Sequence, residues 1–269
     1  MKKYRVLVTV IIAMGIILIG QSNPINNFYK STSLISKGIN QGEDIKKDNK
    51  NNIKNDIKEE KKYLVCIDPG HQSKGDSNLE SVAPGSGNKK ARVSSGATGV
   101  ATKKPEYVLN LEASTVLKHI LEGKGYEVIM TRETHDVNIS NAERATLANE
   151  KKADMVVRIH ADSLDNSSKT GASILIPSKS SKYTTSIYEK SNKCAELIKT
   201  SMKNNNIELN GIFERDDLTG FNWSQVPVVL VEMGFLSNYN EDQMMSNPEY
   251  QRKLMQTVAD GVEEYFKTK

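Results

Sequence analysis

Apolar residues fall in short blocks between Tyr63 and Phe266, and their spacing changes from block to block. Tyr63–Asp68, Tyr126–Thr131, Ala153–His160, Gly171–Pro177 and Pro227–Glu232 are apolar runs of strand length. Between them the spacing becomes helical. Glu106–Gly123 places Val108, Leu109, Leu111, Val116, Leu117, Ile120 and Leu121 on one face, with Gly123 and Gly125 as stops. Asn138–Lys151 is predicted as a second helix, Ser181–Asn205 as a long third, and about Glu249 to Phe266, after Pro248, as the closing one. Gly211–Asp216 reads as a short strand followed by a loop through Trp223, and His71–Lys104, rich in Gly, Ser and Lys, as a long loop. Strands alternating with helices predict one α/β domain with a central twisted, mostly parallel sheet flanked by helices. No internal repeat at a fixed period is visible.

The chain ahead of this domain has a different pattern. Val6–Gly20 is apolar and uncharged, and Met1-Lys2-Lys3-Tyr4-Arg5 before it is basic. That is the plan of a signal peptide or membrane anchor over residues 1–20, although the run is shorter than the ~18 residues of a confident transmembrane helix. Residues 21–62 are predominantly polar and predict a flexible linker, because such a composition buries too little apolar area to offset chain entropy. The catalytic domain is expected over 63–269, and the protein is expected to be exported.

The net charge of +4 is unevenly placed. Residues 1–62 carry 12 basic and 6 acidic side chains, which leaves 25 basic against 27 acidic in the remainder. The folded part is therefore not a basic nucleic-acid binder. The basic N-terminal residues suit an anionic membrane or polymer. The two cysteines, Cys66 in a strand and Cys194 in a helix, read as buried free thiols.

Three of the strands end in chemistry: Asp68-Pro69-Gly70-His71, His160 and Glu232. Ligands of such sheets gather at the carboxyl ends of strands. Two imidazoles with a carboxylate form a common zinc set with an open fourth position, and a further carboxylate can act on the attacking water, so the reaction class indicated is metal-assisted hydrolysis. Pro69 fixes the turn before His71, and Gly70 is expected to supply an unusual dihedral. The third ligand stays open on pattern alone. Glu106 opens the first helix, where the macrodipole favours an acidic residue in any case; Glu112 and Glu80 compete with it. Glu232 in an apolar strand is costly unless functional or paired with an arginine such as Arg132 or Arg158. Desolvation there would raise its pKa toward the range of a general base. His119 and His135 read as structural or solvent residues.

The order of segments is similar to a known family. Ile67-Asp68-Pro69-Gly70-His71, Pro105-Glu106-Tyr107-Val108-Leu109-Asn110-Leu111, Gly125–Arg132, Arg144–Asn149, Arg158-Ile159-His160-Ala161-Asp162 and Val226–Asn238 resemble the zinc-dependent N-acetylmuramoyl-L-alanine amidases of type 3, in a clostridial and bacillar-like subgroup, over roughly residues 63–267. The resemblance implies His71, Glu106 and His160 as ligands of one zinc ion, with Glu106 matching a Glu-x-x-x-Asn-Leu pattern, and Glu232 as the catalytic acid/base. Gln72-Ser73 and Asp162 depart from the usual pattern. The implied function is peptidoglycan hydrolysis at the amide between N-acetylmuramic acid and L-alanine of the stem peptide. The alternatives are a zinc peptidase acting on stem-peptide bonds and a non-catalytic cell-wall-binding module. The expected partners are peptidoglycan and, through residues 6–20, a membrane, with no nucleic acid and a monomeric state. The expected location is the cell wall or the outer face of the cytoplasmic membrane.

Overall fold

The computed structural model describes residues 62–269. The signal or anchor expected at 1–20 and nearly all of the linker expected at 21–62 lie outside the described residues. Among the described residues no helix is long and apolar enough to cross a membrane.

Six strands build the central sheet: β1 (Leu64–Pro69), β4 (Glu127–Met130), β5 (Met155–Asp162), β6 (Ala172–Pro177), β7 (Leu209–Arg215) and β8 (Val228–Phe235). Their order is β4-β1-β5-β8-β6-β7. β6 pairs antiparallel with β8 and parallel with β7, and the remaining pairs are parallel. The mostly parallel sheet expected from the alternating pattern is therefore present.

The central strands are apolar on both faces because both faces are covered. Val65, Ile67, Met155, Val157, Ile159, Val229 and Val231 join one large core, which the helices α1 (Glu106–Gly123), α3 (Thr185–Asn204) and α6 (Pro248–Lys267) complete. Cys66, Val156, Val228 and Leu230 point the other way into a smaller core with Ala148 and Phe221. That face is covered by α2 (Asn141–Glu150) and the short α4 (Thr219–Asn222). α3 and α6 cross closely: a Cβ on Gly261 would stand 2.5 Å from Cα of Ile198. Cys66 and Cys194 are buried free thiols, and burial pushes both pKa values up.

The segment 71–104 is not one long loop. It contains a hairpin, β2 (Asp76–Ser81) and β3 (Lys89–Val93). Most of its residues are exposed, so no apolar alternation announces it. Polar contacts hold it instead: Arg92 pairs with Asp76 and Glu143, Asn141 Nδ2 donates to the Arg92 carbonyl, and Trp223 Nε1 donates to the Ser81 carbonyl. A further short helix, α5 (Tyr239–Met245), starts after Asn238, whose side chain accepts from two backbone amides. β5 and β8 also run past His160 and Glu232, to Asp162 and Phe235.

A buried charge network sits where β1 ends. The Asp68 carboxylate accepts from Arg144 Nη1 at 2.8 Å, from Arg158 Nε at 2.8 Å and from Thr131 Oγ1. Burial opposes its charge, but the two guanidinium groups outweigh that and hold its pKa well below the usual carboxylate range. Its ion pairs thus add stability that is complete above the unfolded-state value of about 3.9 and is lost as pH falls toward the lower folded value. Asp68→Asn leaves two buried guanidinium groups short of a counter-charge. Denaturant unfolding at pH 7 is expected to show a loss of about 3–5 kcal/mol. Wild type should then lose stability more steeply than the variant between about pH 4 and pH 2. Equal acid sensitivity of the two proteins would remove Asp68 from this role.

Candidate metal centre and active site

His71 follows β1 with φ of 60°, a left-handed backbone that is unfavourable for a residue with a side chain. Gly70, expected to supply the unusual dihedral, has none. Its lack of a side chain is needed for another reason: a Cβ there would stand 2.2–2.5 Å from the ring of His160. Arginines hold the strained turn. Arg132 donates to the carbonyls of Pro69 at 3.0 Å and Gly70 at 2.9 Å. Arg144 donates to those of Pro69 at 2.8 Å and His71 at 3.0 Å.

The neighbouring strand delivers His160. The lead residue of α1, Glu106, is aimed inward by several donors. The Ala97 amide reaches its Oε2 at 2.9 Å; Asn110 Nδ2 and the Ala161 amide reach its Oε1 at 3.2 Å each. The loop leading to it is tied down by Asp242 on α5, which accepts from the amides of Ala101 and Thr102 and from the Thr102 hydroxyl. One ligand atom each from His71, Glu106 and His160 lies within 4.8 Å of the others. Glu106 Oε1 is 3.1 Å from His71 Nε2 and 3.3 Å from His160 Nδ1. The competing carboxylates are occupied elsewhere: Glu112 pairs with Lys104 at 2.6 Å and Glu80 accepts from the Ala142 amide. His119 is exposed beside Glu122, and His135 stacks edge-on with Tyr107; neither belongs to the cluster.

These donors fit a metal ion. His71 Nδ1 is 2.9 Å from the Ser94 carbonyl, which can only accept, so this nitrogen carries a proton and Nε2 is the ring atom turned toward Glu106. An imidazole nitrogen and a carboxylate oxygen at 3.1 Å are both metal donors. The edge of a tetrahedron with bonds of about 2.0–2.1 Å is roughly 3.3–3.4 Å, close to both separations. His160 is neutral: burial, with the charges of His71 and Arg158, pulls its pKa down to about 4 against the opposing bond to Glu106. Its Nε2 is buried without a hydrogen-bond partner among the described residues. Burial works against the charge of Glu106, but the side-chain bonds to His160 and His71 prevail, and its pKa lies well below the ordinary value.

Glu232 is the direct register partner of His160 across β5 and β8. It makes no ion pair with the suggested arginines, because Arg158 bonds Asp68 and Asn141 while Arg132 holds backbone carbonyls. Its Oε2 is buried with no hydrogen-bond partner among the described residues. Desolvation, with the nearby charges of Glu106 and Asp162, pushes its pKa well above the ordinary value despite Arg158 and Arg215. Two carboxylates close enough to interact, one held ionised and one held ready to take a proton, are the division of labour of hydrolytic sites. Glu232 opens with His71 and His160 onto a cleft of about 270 Å³ that is also lined by Ser94, Lys90 and Arg215. Pattern reading missed Ser94, Asn110, Asp242 and the grip of the arginines. Asn110 alone left a signal, as a polar residue four positions after Glu106 on the helix's buried side.

Comparison with known proteins agrees with this geometry. The family model Amidase_3, N-acetylmuramoyl-L-alanine amidase, matches residues 65–264. An N-acetylmuramoyl-L-alanine amidase of Mycobacterium tuberculosis is 26% identical over 213 residues, covering 76% of this chain and 87% of that protein. The chain spans about half the length of some other relatives. The apo crystal structure of the N-acetylmuramyl-L-alanine amidase Ami1 from Mycobacterium abscessus superposes with a TM-score of 0.69 at 26% identity, covering 76% of this chain and 98% of that one. The N-acetylmuramoyl-L-alanine amidase from Clostridium difficile 630 does so with a TM-score of 0.62 at 26% identity, covering 77% and 98%. The family match takes in β1 through most of α6 and all four residues of the site, and the chain belongs to the type 3 N-acetylmuramoyl-L-alanine amidase family, enzymes that hydrolyse peptidoglycan.

Proposed function

We propose that this chain cleaves the amide between the lactyl group of N-acetylmuramic acid and L-alanine of the stem peptide, using one zinc ion held by His71, Glu106 and His160. The observation that carries this reading is the convergence of three donors beside an unpartnered Glu232 carboxylate on the adjacent strand. When bound there, zinc supplies a Lewis acid that polarises the carbonyl and acidifies water. Glu232, in reach of the same cleft, takes the proton of the attacking water as the new C–O bond forms. It then passes that proton to the alanine nitrogen as the C–N bond breaks, so the peptide leaves as an amine. Its raised pKa suits it to hold the proton between the two steps. Ser94 and the Arg132–Arg144 grip keep the His71 ring in place.

The same reading assigns residues 1–20 to export or membrane anchoring, 21–62 to a linker and 63–269 to catalysis, with the protein acting as a monomer at the cell wall or the outer face of the membrane. The basic start, the uncharged run Val6–Gly20 and the polar stretch after it support this. Limited proteolysis of the full chain should cut within 21–62 first and leave a stable core. Early cuts within 106–160 would contradict the division.

His71→Ala and His160→Ala should each lose tight zinc binding and turnover, since a three-ligand site has little redundancy. Metal analysis of the purified variants decides this: near-stoichiometric zinc in either would strike that residue from the ligand set.

Glu232→Gln should stay folded and zinc-loaded while turnover on purified peptidoglycan drops about 10²–10⁴-fold, toward the upper end because one group serves both proton transfers. Mass spectrometry of the wild-type products should show peptides beginning with a free L-alanine; fragments cut inside the stem would support a peptidase instead. A folded, zinc-loaded Gln variant within about tenfold of wild type, short of the loss expected for such a group, would exclude Glu232 as the base.

A further inference from the structure

The face of the sheet that carries His160 and Glu232 is only partly covered. Strand alternation places Ser173, Leu175, Phe213, Arg215, Leu230 and Glu232 on this one face, through the register pairs Ser173 with Glu232, Leu175 with Leu230 and with Phe213, and Pro177 with Arg215. The helices α2 and α4 cover part of it, Ala148 and Phe221 packing with Cys66, Val156, Val228 and Leu230. Beyond Glu232, toward the edge strand β7, the floor opens into a second cleft of about 620 Å³. This cleft shares Leu175, Arg215 and Glu232 with the catalytic one, so the two are continuous. Phe213 and Leu164, two of the few large apolar side chains left exposed, line it.

Arg215 is the arginine among the residues lining this cleft. Asp217 takes its Nε at 2.7 Å and its Nη2 at 2.8 Å, which fixes the plane of the guanidinium and leaves Nη1 for a ligand. Lys90 also bonds Asp217, through the backbone carbonyl at 2.7 Å, and steadies the same turn. Glu214, the nearest other carboxylate on β7, is already engaged by the Tyr188 hydroxyl and the Lys179 amide. Lys169 adds a second cation to the lining. The Glu232 end of the cleft is acidic, with Asp162 beside it. A peptide that leaves with a new amine at one end and carboxylates further along has the matching polarity. By register, Arg215 is two strands over and four residues along from Glu232, roughly 16 Å between backbones. Two or three extended residues at ~3.5 Å each span what the two side chains leave of that distance.

We propose that this second cleft is the subsite for the released peptide and that Arg215 is its specificity-determining residue, binding a carboxylate on the second or third residue beyond the cleaved bond. The proposal rests on the amidase reading above and deepens it. Arg215 then sorts substrates in which that carboxylate is free from those in which it is a carboxamide.

The test uses the zinc-loaded protein and synthetic N-acetylmuramoyl tripeptides, with the carboxylates at the second and third residues converted to carboxamides one at a time. In wild type, one of the two conversions should lower kcat/KM about 10- to 100-fold, the worth of a charge-assisted hydrogen bond, mainly through KM. Arg215→Gln should lose about as much on the carboxylate substrate and no longer discriminate; Arg215→Lys, which keeps the charge and the strand packing, should fall between. Wild type that cleaves every form equally, or an Arg215→Gln variant that loses equally on all of them, overturns the proposal, since the residue then acts only on the fold or on Glu232. Calorimetry with the free tripeptide separates this from failure of the amidase reading. Should wild type cleave none of the substrates, the reading falls. Binding of the tripeptide that vanishes in a folded Arg215→Gln variant would still uphold the subsite, and absence of binding would sink it too.

Discussion

The ion pair between buried Asp68 and the guanidinium groups of Arg144 and Arg158 is the constraint on which the site depends. Burying three charges costs several kcal/mol per ion before any is recovered by their attraction. An apolar cluster of similar volume would give at least as much stability. The charges are useful because an arginine has five donors and Asp68 occupies only some of them. Arg144 spends the others on the carbonyls of Pro69 and His71, and Arg132 adds bonds to Pro69 and Gly70. These bonds hold His71 at a φ of 60° that its own side chain disfavours. The network thus converts the end of a strand into a fixed imidazole. Gly220 shows how tightly it is packed, since a Cβ there would stand 2.5 Å from Nη1 of Arg158.

The same few residues create two opposite carboxylates. Glu106 accepts from two backbone amides and one carboxamide, lies beside two imidazoles, and stays ionised. Glu232 sits across the register from His160 with one oxygen unpartnered, and its charge is disfavoured by burial and by Glu106 itself. The ionised Glu106 therefore helps to set Glu232. The ionised one is suited to ligation, and the reluctant one to moving a proton. That assignment follows from environment, since the two side chains are chemically identical.

Much of this was legible in the chain, for identifiable reasons. The covered strands are nearly continuous apolar runs, so β1, β5 and β8 could be read to within a residue or two at their starts, and the helical stripe of Glu106–Gly123 was bounded as observed. Their carboxyl ends marked His71, His160 and Glu232 as neighbours. The hairpin β2–β3 and helix α5 were not legible, because salt bridges, caps and loops hold them where an apolar face would have left a pattern. Pattern also could not choose among Glu106, Glu112 and Glu80, since the choice depends on the path of the Gly96–Pro105 loop. The family resemblance made that choice, and the structure brings Glu106 to the cluster. Gly70 was noted for the wrong property: close approach of the His160 ring, and not backbone freedom, requires a glycine there.

The uneven covering of the sheet connects this local chemistry to a polymeric substrate. Three long helices seal one face and supply most of the core. On the other face α2 and α4 reach Arg158 through Asn141 and Gly220, while Phe213 and Leu164 stay exposed in the second cleft. A fully covered site would be drier and would strengthen every charge interaction in it. It would also admit only small or terminal fragments. A cleft that is walled where protons move and open where the substrate continues resolves that conflict. The open side lies along edge strand β7, where an unprotected strand would invite pairing with another chain. Asn210, Glu214 and Arg215 make that edge polar, and the glycine at 211 has a φ of 152° within extended backbone. The features that keep this edge soluble therefore lie beside the surface proposed to read the peptide, and changes at Arg215 bear on substrate choice more directly than on the core.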